Sequence, residues 1–355
     1  MSYCINPHCK KPQNSKKTDF CHSCGNKLLL KDRYRAVKPI GQGGFGKTFL
    51  ATDEDKPSKP YCVIKQFFPQ IEGTDAIKKG AELFAREAMQ LEELGEHEQI
   101  PALFAYFAED SRQYLIQEFI DGENLAGELA HSGAYDESYI ISLLQDLLKV
   151  LEFVHSRNVI HRDIKPENII RPQDNGQLVL VDFGASKSVT AGTLGQVGTA
   201  IGSVGYVAPE QAVGRATFAS DIYSLGVTSI HLLTGVNPGE LYDNYQGVWQ
   251  WRNYLQKEIS NGLAQILDKM LIDNSQLRYQ SAGEVRPDLE KLLNIPPTQP
   301  FKMELDLELE QLKRERLERE KSKSQSSVTP PVSESNQDLD SQLEQLKQQF
   351  YQKFE

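Results

Sequence analysis

Apolar and polar residues alternate along residues 61–67, the pattern of a β-strand that buries one face. Val63, Lys65 and Phe67 fall on the same side of this strand, so a lysine lies among apolar residues. An ammonium group in such surroundings needs an anionic partner, because burying an unpaired charge is costly. Cys62 alternates to the opposite face, where we expect a packed structural thiol.

Residues 75–94 have helical spacing instead, with Phe84 and Leu91 on one apolar stripe. Glu87 lies on the same stripe, about one turn from each of these two residues. The pattern therefore predicts an amphipathic helix that presents Glu87 to its inner side, and Glu87 is the natural partner for Lys65.

Other segments extend this picture of strands and helices along the chain. We expect strands at 34–40, 48–52, 114–116 and 178–181 and a helix over 138–156.

A dense polar run follows the helix of residues 138–156. Residues 161–168 read His-Arg-Asp-Ile-Lys-Pro-Glu-Asn, and Asp182-Phe183-Gly184 follows after a short gap. Two acids, a lysine and an amide at this spacing suit phosphoryl transfer, which proteins catalyse mainly by positioning and electrostatics. Carboxylate and amide oxygens are also the hard ligands that magnesium prefers.

This ordered set resembles the catalytic core of eukaryotic-like bacterial serine/threonine protein kinases. The resemblance implies that Asp163 orients the substrate hydroxyl and accepts its proton, and that Lys165 contacts the transferring phosphoryl group. It implies that Asn168 and Asp182 bind Mg²⁺, with Mn²⁺ as an alternative. Lys165 followed by Pro166-Glu167 matches serine/threonine rather than tyrosine kinases.

The same resemblance gives the pair Lys65 and Glu87 a role. In the family, the strand lysine reaches the α- and β-phosphates of ATP and the helix glutamate holds it. Both are therefore candidate catalytic residues.

The glycine-rich stretch 41–48 matches two nucleotide-binding patterns at once. It satisfies the kinase pattern G-x-G-x-x-G and also the P-loop pattern G-x-x-x-x-G-K-[ST]. A P-loop opens a helix, but the residues around and after Thr48 read as a returning strand. We therefore expect a hairpin whose Gly41, Gly43 and Gly46 fold over phosphates, with a P-loop hydrolase as the alternative.

The kinase resemblance also implies an adenine site. Thr48 and Val63 would line its roof, where the family usually has valine and alanine. The backbone of Glu118 and Ile120 would bind the base in the hinge between two lobes, with Gln117 as the gatekeeper.

Residues 182–210 are rich in glycine, serine and threonine and match an activation loop. Thr193 and Thr199 are the candidate phosphate acceptors, and Arg162 is the candidate arginine that would pair with the phosphate. Ser203 matches the residue that lines the substrate hydroxyl pocket.

Three further residues match structural positions of the family. Asp221 resembles the buried aspartate that holds the catalytic loop, and Arg278 matches the partner of Glu210.

Four of the five cysteines lie in the first 24 residues. They are Cys4, Cys9, Cys21 and Cys24. Without a secretion signal, this spacing favours a tetrahedral Zn²⁺ site over disulfides. His8 and His22 are spare ligand candidates, and a redox-active thiol cluster or an unstructured tail are the alternatives. A four-cysteine segment of this kind resembles those of some cyanobacterial kinases.

Composition limits the other function classes. The chain of 355 residues has a net charge of −10, which argues against nucleic-acid and membrane-surface binding. No apolar run approaches the length of a spanning helix or a signal peptide, so we expect a cytoplasmic protein. Residues 1–31 nevertheless carry six lysines and one aspartate, a possible docking surface for a protein.

We therefore expect an α+β, bilobal protein kinase fold, with a small, mainly β N-lobe that has one helix, a larger, mainly α C-lobe and a small zinc-ribbon-like module at the N-terminal end. The expected domains are a zinc-ribbon-like module over 1–30, a kinase domain over 34–294 (N-lobe 34–117, hinge 118–122, C-lobe 123–294) and a charged tail over 295–355. Residues 338–355 have an amphipathic helical stripe, whose alternative partners are the kinase's own surface, another protein or a second copy of the stripe. The expected function is ATP-dependent phosphorylation of serine or threonine in proteins, including the kinase itself, in intracellular signalling. A scaffold that binds nucleotide without turnover is the alternative.

Overall fold

The computed structural model describes residues 1–43, 46–68, 74–110, 112–173, 176–183, 187–188, 203 and 205–294. Thr193, Thr199 and the tail 295–355 lie outside these residues. None of the helices in the described ranges combines the length and the apolar content that a membrane crossing requires.

The first thirty residues form a small four-cysteine module. Its strands β1 (Ser2–Tyr3) and β2 (Gln13–Asn14) pair antiparallel, and an isolated bridge joins Phe20 to Lys27. The three buried residues at its centre are Cys4, Cys21 and Leu28.

A six-stranded antiparallel sheet dominates the N-terminal lobe, in the order β3-β4-β5-β6-β8-β7. These strands are β3 (Leu29–Leu30), β4 (Tyr34–Gly43), β5 (Gly46–Asp53), β6 (Tyr61–Phe67), β7 (Leu103–Glu109) and β8 (Arg112–Glu118). Because β3 pairs with β4, the last residues of the module are also the first strand of this sheet.

The alternation of β6 separates two environments. Cys62, Ile64 and Gln66 are completely buried on one face, which confirms the packed thiol. The other face carries Lys65 and looks toward helix α1 (Thr74–Leu94). This helix matches the predicted one, and its residues Phe84, Glu87, Leu91 and Leu94 are buried.

Helices build the C-terminal lobe. They are α2 (Leu125–Ser132), α3 (Glu137–Ser156), α4 (Pro209–Ala212), α5 (Phe218–Thr234), α6 (Pro238–Leu241), α7 (Asn261–Met270) and α8 (Ala282–Asn294). Helix α5 is buried along nearly its whole length and is the centre of the lobe. Thr217 and Ser220 cap its start reciprocally, and Gly235 ends it in the left-handed conformation.

Short strands connect these helices to the sheet. They are β9 (Gly122–Asn124), β10 (Val159–Ile160), β11 (Ile169–Pro172), β12 (Val179–Leu180), β13 (Lys187–Ser188), β14 (Tyr242–Asp243) and β15 (Val248–Trp249). Strands β9, β11 and β12 form one small sheet, and β10 pairs with β13. The polar run 161–168 therefore lies between β10 and β11, on the loop that joins two fixed strands.

Candidate active site

The loop after β10 brings four predicted side chains into direct contact. The Ser203 hydroxyl donates to Asp163 Oδ1 at 2.7 Å, and Lys165 Nζ donates to Asp163 Oδ2 at 2.9 Å and to Ser203 Oγ at 2.5 Å. Asn168 Nδ2 donates to the Asp163 carbonyl at 2.8 Å and to its Oδ2 at 2.9 Å. The Asp163 carboxylate thus accepts a hydrogen bond from a hydroxyl group and lies next to the Lys165 ammonium.

Asp221 holds the backbone of this loop from below. Its carboxylate is fully buried and accepts from His155 Nε2 at 2.9 Å, from the His161 N–H at 2.9 Å and from the Arg162 N–H at 2.8 Å. Burial alone would raise the pKa of Asp221, but the hydrogen bond from His155, the other nearby histidine and the Arg162 N–H outweigh it and lower that pKa. The carboxylate is therefore ionised and fixes two consecutive amides, as the sequence predicted for Asp221.

Arg162 has a left-handed backbone, with a φ of 71°, which is uncommon for a residue other than glycine. Its side chain is buried, yet Nε and Nη2 have no hydrogen-bond partner among the described residues. Burial lowers the pKa of Arg162, and the nearby Arg86 lowers it further. The Asp221 carboxylate acts in the opposite direction on this pKa, and an acceptor for Nε and Nη2 would stabilise the charged guanidinium further.

Three residues that support the loop escaped the sequence analysis. Gln211 Nε2 donates to the Arg162 carbonyl at 2.7 Å, and Thr228 Oγ1 donates to the Ile164 carbonyl at 3.3 Å. His155 bonds Asp221, as described above. The available signal was polarity, because His155 and Thr228 interrupt apolar helical patterns.

Lys65 and Glu87 form the predicted ion pair between β6 and α1. Lys65 Nζ also lies 3.4 Å from Asp182 Oδ1. Burial alone would lower the pKa of Lys65, but the carboxylates of Asp182 and Glu87 outweigh it and raise that pKa. Lys65 is consequently charged at neutral pH and lies beside a half-exposed carboxylate.

Strands β4 and β5 form a hairpin around the glycine-rich stretch. Gly41 pairs with Thr48 and Gly43 with Gly46, while residues 44–45 lie outside the described ranges. Since Gly46, Lys47 and Thr48 are the first residues of strand β5, where a P-loop requires the start of a helix, the P-loop alternative is wrong. A Cβ on Gly46 would lie 2.3 Å from the carbonyl oxygen of Gln66, so only glycine fits there.

The candidate adenine region lies where β6 and β8 meet. Val63 and Gln117 are register partners, and both are buried. The Glu118 N–H donates to the Ala102 carbonyl at 2.9 Å, at the end of β8. Ile120 follows in the short link to β9.

A buried ion pair links α4 to the segment before α8. Arg278 Nη1 lies 2.7 Å from Glu210 Oε1, and the Arg278 side chain has no exposed surface. This confirms the predicted pairing of Arg278 with Glu210.

The four cysteines of the N-terminal module converge. Their sulfur atoms all lie within 4.8 Å of one another, with Cys4–Cys24 and Cys9–Cys21 each at 3.6 Å, and all four are free thiols. Four sulfurs around Zn²⁺ at Zn–S distances of about 2.3 Å would be separated by about 3.8 Å, so the arrangement fits a tetrahedral ion.

Two asparagines surround these sulfurs. Asn14 Nδ2 donates to Cys21 Sγ at 3.5 Å, and Asn6 Nδ2 donates to Cys24 Sγ at 3.7 Å. Burial opposes ionisation of Cys21, but hydrogen bonds from the Cys24 N–H and the Asn14 amide outweigh it and lower the pKa of Cys21 to about 6. Amide donors of this kind orient and tune thiolate ligands.

The spare ligand candidates His8 and His22 are not in this cluster. The His8 ring packs edge-on against Phe68, with centroids 6.2 Å apart, and the His22 N–H donates to Asn14 Oδ1 at 3.0 Å.

Comparison with known proteins agrees with this geometry. Residues 34–287 match the family model described as the protein kinase domain. The chain is 41% identical to Serine/threonine-protein kinase B of Synechocystis sp. over 82% of its own length and 52% of that relative. It is 43% identical to Serine/threonine-protein kinase F of the same organism, over 75% of this chain and 56% of the relative. It is 41% identical to Serine/threonine-protein kinase PknA of Nostoc sp., over 77% of this chain and 50% of the relative.

The chain thus spans about half the length of the curated relatives it matches. The match covers the N-lobe sheet, helix α1, the polar loop of residues 161–168 and most of the helical lobe. With this α+β, two-lobed architecture, the chain belongs to the protein kinase domain family.

Proposed function

We propose that this chain is a serine/threonine protein kinase that transfers the γ-phosphate of ATP to hydroxyl groups of proteins, including its own. One observation carries the proposal: the Ser203 hydroxyl donates to Asp163 at 2.7 Å while Lys165 Nζ lies 2.5 Å from the same hydroxyl. A substrate hydroxyl that makes the same contact would be oriented by Asp163, which would accept its proton. Lys165 would then stabilise charge on the transferring group.

Family membership implies ATP and Mg²⁺ as cofactors. Asn168 and Asp182 would hold the cation, which would neutralise phosphate charge during transfer. The fit rests on the chemistry of the side chain. Asn168 Nδ2 makes two hydrogen bonds to Asp163, which leaves the side-chain oxygen Oδ1 for a hard cation. Lys65, held by Glu87, would reach the α- and β-phosphates.

The remaining nucleotide contacts follow from the hairpin and the hinge. Gly41, Gly43 and Gly46 would cover the phosphates, since glycine lets the backbone approach closely. Thr48 and Val63 would form the roof of the adenine site. The backbone of Glu118 and Ile120 would bind the base, with Gln117 as the gatekeeper.

The activation loop would act through Arg162. A phosphate on Thr193 or Thr199 would supply acceptors for Arg162 Nε and Nη2, which have no hydrogen-bond partner among the described residues. If so, Thr193→Ala combined with Thr199→Ala lowers phosphorylation of other proteins, and phosphopeptide mapping locates the phosphate. Unchanged turnover in that double variant would give Arg162 another role.

The N-terminal cysteines would bind one zinc ion through Cys4, Cys9, Cys21 and Cys24, as part of a module over residues 1–30. Use of ATP and of reduced thiolates suits the cytoplasm, which is the proposed location. The exposed lysines of this module would dock protein substrates. Elemental analysis of protein purified under reducing conditions tests the zinc; metal-free protein with reversible disulfides would favour a redox sensor.

The proposed activity is tested with purified protein, Mg²⁺ and radiolabelled ATP. We expect phosphate on serine or threonine, and a loss on the order of 10² to 10³ in rate for Lys65→Ala, Asp163→Ala and Asp182→Ala. Asp55→Ala is the matched control, because this carboxylate is exposed and its ion-pair partner, Arg33, is not a residue of the site. Full activity in Asp163→Ala would refute the mechanism, and nucleotide binding without transfer in the wild type would favour the scaffold.

A further inference from the structure

The four-cysteine module covers one face of the six-stranded sheet, the face opposite Lys65. On β6, Lys65 looks toward α1, whereas Ile64 and Gln66 on the opposite face have no exposed surface. Tyr3 and Ile5 of the module pack against the hydrophobic cluster on that opposite face. The sheet therefore has α1 on the face of Lys65 and the module on the opposite face.

Specific polar contacts fix the module in this place. Gln66 Nε2 donates to the Ile5 carbonyl at 3.1 Å. Arg35, buried on β4, donates to Ser2 Oγ at 3.3 Å and to the Thr18 carbonyl at 2.8 Å. Side chains of the sheet thus hold the module at Ser2, Ile5 and Thr18.

The same surface carries the glycine hairpin. Thr48 and Phe49 are consecutive on β5, so their side chains point to opposite faces. Thr48 pairs in register with Lys65, and the Phe49 ring lies 5.9 Å from the Tyr3 ring of the module. A movement of the module is therefore transmitted to a strand that borders the nucleotide site.

A second contact lies near the glycines themselves. Phe68 packs against His8 of the module, with centroids 6.2 Å apart, and Lys47 of the hairpin lies 5.6 Å above the same ring. A cavity of about 230 Å³ separates the module from the outer side of the hairpin at Gly41 and Gln42. The described residues of the hairpin contact the module at Phe49, and this cavity adjoins the hairpin at Gly41 and Gln42.

We infer that the four-cysteine module is a positioning element of the nucleotide site: through Tyr3 and His8, and through its contacts with Arg35 of β4, it holds the glycine hairpin in the conformation that binds ATP. This inference rests on the proposed kinase function for its ligand. Glycine-rich backbone loses much conformational entropy when it becomes ordered, so a support that orders it in advance strengthens binding. The effect is on nucleotide affinity, whereas Asp163 and Lys165, in the other lobe, are untouched.

The experiment separates affinity from chemistry in the full chain. Tyr3→Ala combined with His8→Ala removes the ring contacts, and Arg35→Met removes the polar contacts while keeping side-chain volume. We expect each variant to weaken Mg-ADP binding in calorimetric titration by about tenfold, equivalent to about 1.4 kcal/mol. The KM for ATP should rise in parallel, with kcat within about twofold of the wild type and faster amide exchange across residues 41–50.

Gln13→Ala with Ser15→Ala is the matched control, since both residues are exposed on the same module and have no part in the proposed docking or metal binding. Zinc content is measured for every protein, so that a collapsed module is recognised; if Tyr3→Ala with His8→Ala loses metal, Arg35→Met decides. If the module merely covers apolar surface, the variants will have a lower melting temperature and an unchanged affinity for nucleotide. That result would overturn the inference. If no protein transfers phosphate but the variants still weaken nucleotide binding, the kinase proposal fails and the inference stands.

Discussion

The contact of Asp221 with the catalytic loop gives the sharpest prediction. Asp221→Asn keeps the size of the side chain and removes its charge. The carboxylate accepts from His155, from the His161 N–H and from the Arg162 N–H, and all four groups are buried. An asparagine has one acceptor oxygen, so its NH₂ group must face at least one of these donors.

The magnitude follows from that mismatch. Leaving one buried N–H without an acceptor costs about 1–3 kcal/mol, and turning the remaining charged hydrogen bonds into neutral ones costs about 1 kcal/mol each. The total is about 3–5 kcal/mol, to which any relief of the left-handed backbone at Arg162 contributes with opposite sign. If the loop shifts to escape this penalty, Asp163 leaves its position and kcat falls on the order of 10² to 10³.

Three measurements on the same variant test the reasoning. We expect a lower kcat for protein phosphorylation, a nearly unchanged affinity for Mg-ADP and faster amide exchange across residues 159–168. Asp55→Asn makes the same chemical change at an exposed carboxylate and should match the wild type. An Asp221→Asn protein with kcat within twofold of the wild type and unchanged amide exchange would refute the view that Asp221 holds the loop.

Three further predictions concern stability and metal. Arg278→Met leaves the Glu210 carboxylate without its cation and should destabilise the fold by about 3–5 kcal/mol in urea unfolding, whereas the exposed Arg252→Met should cost under about 1 kcal/mol; equal costs would contradict the buried-pair argument. The hydrogen bond from Arg33 holds the pKa of Asp53 below its usual value, so the stability lost in Arg33→Met should be constant above about pH 5 and shrink as the pH falls below about 4 and through the lowered pKa. A stability difference that does not shrink between pH 5 and pH 2 would exclude this linkage. Cys4→Ser should abolish stoichiometric zinc binding by elemental analysis, whereas Cys62→Ser should retain it, since Cys62 lies in the sheet core.

The elements that carry chemistry in the two lobes were largely predictable from local pattern. The period-two alternation of residues 61–67 gave β6 and the faces of Lys65 and Cys62, and the helical stripe of residues 75–94 gave Glu87 on the inner side of α1. Both patterns are set by which residues face water, and each is contained within one element. The glycine-rich stretch 41–48 could not be assigned from its own residues, because it fits both the kinase pattern and the P-loop pattern. Only the secondary structure that continues from it, a strand rather than a helix, decides between the two folds.

The arrangement of the N-terminal module could not be predicted in the same way. The cysteine spacing indicated a cluster, but nothing local indicated that Arg35 and Gln66 would be buried beneath Tyr3 and Ile5. Their burial depends on contacts across about thirty to sixty residues, and the sequence contains no periodic signal for such a contact.

The catalytic loop shows why such distant contacts matter to the chemistry. Arg162 and Asp182 both have left-handed backbones, with φ values of 71° and 68°, and such residues cost about 1–3 kcal/mol each when they are not glycine. At Arg162 the conformation is held by the Asp221 carboxylate on its N–H and the Gln211 amide on its carbonyl, both from the segment that follows the predicted activation loop. The strained geometry that aims Asp163 is therefore maintained by residues some fifty positions later in the chain. Gln211 and Asp221 follow Ser203 in the same part of the chain. This part therefore contacts the Asp163 region in two ways, through the Ser203 hydroxyl and through the backbone of Arg162.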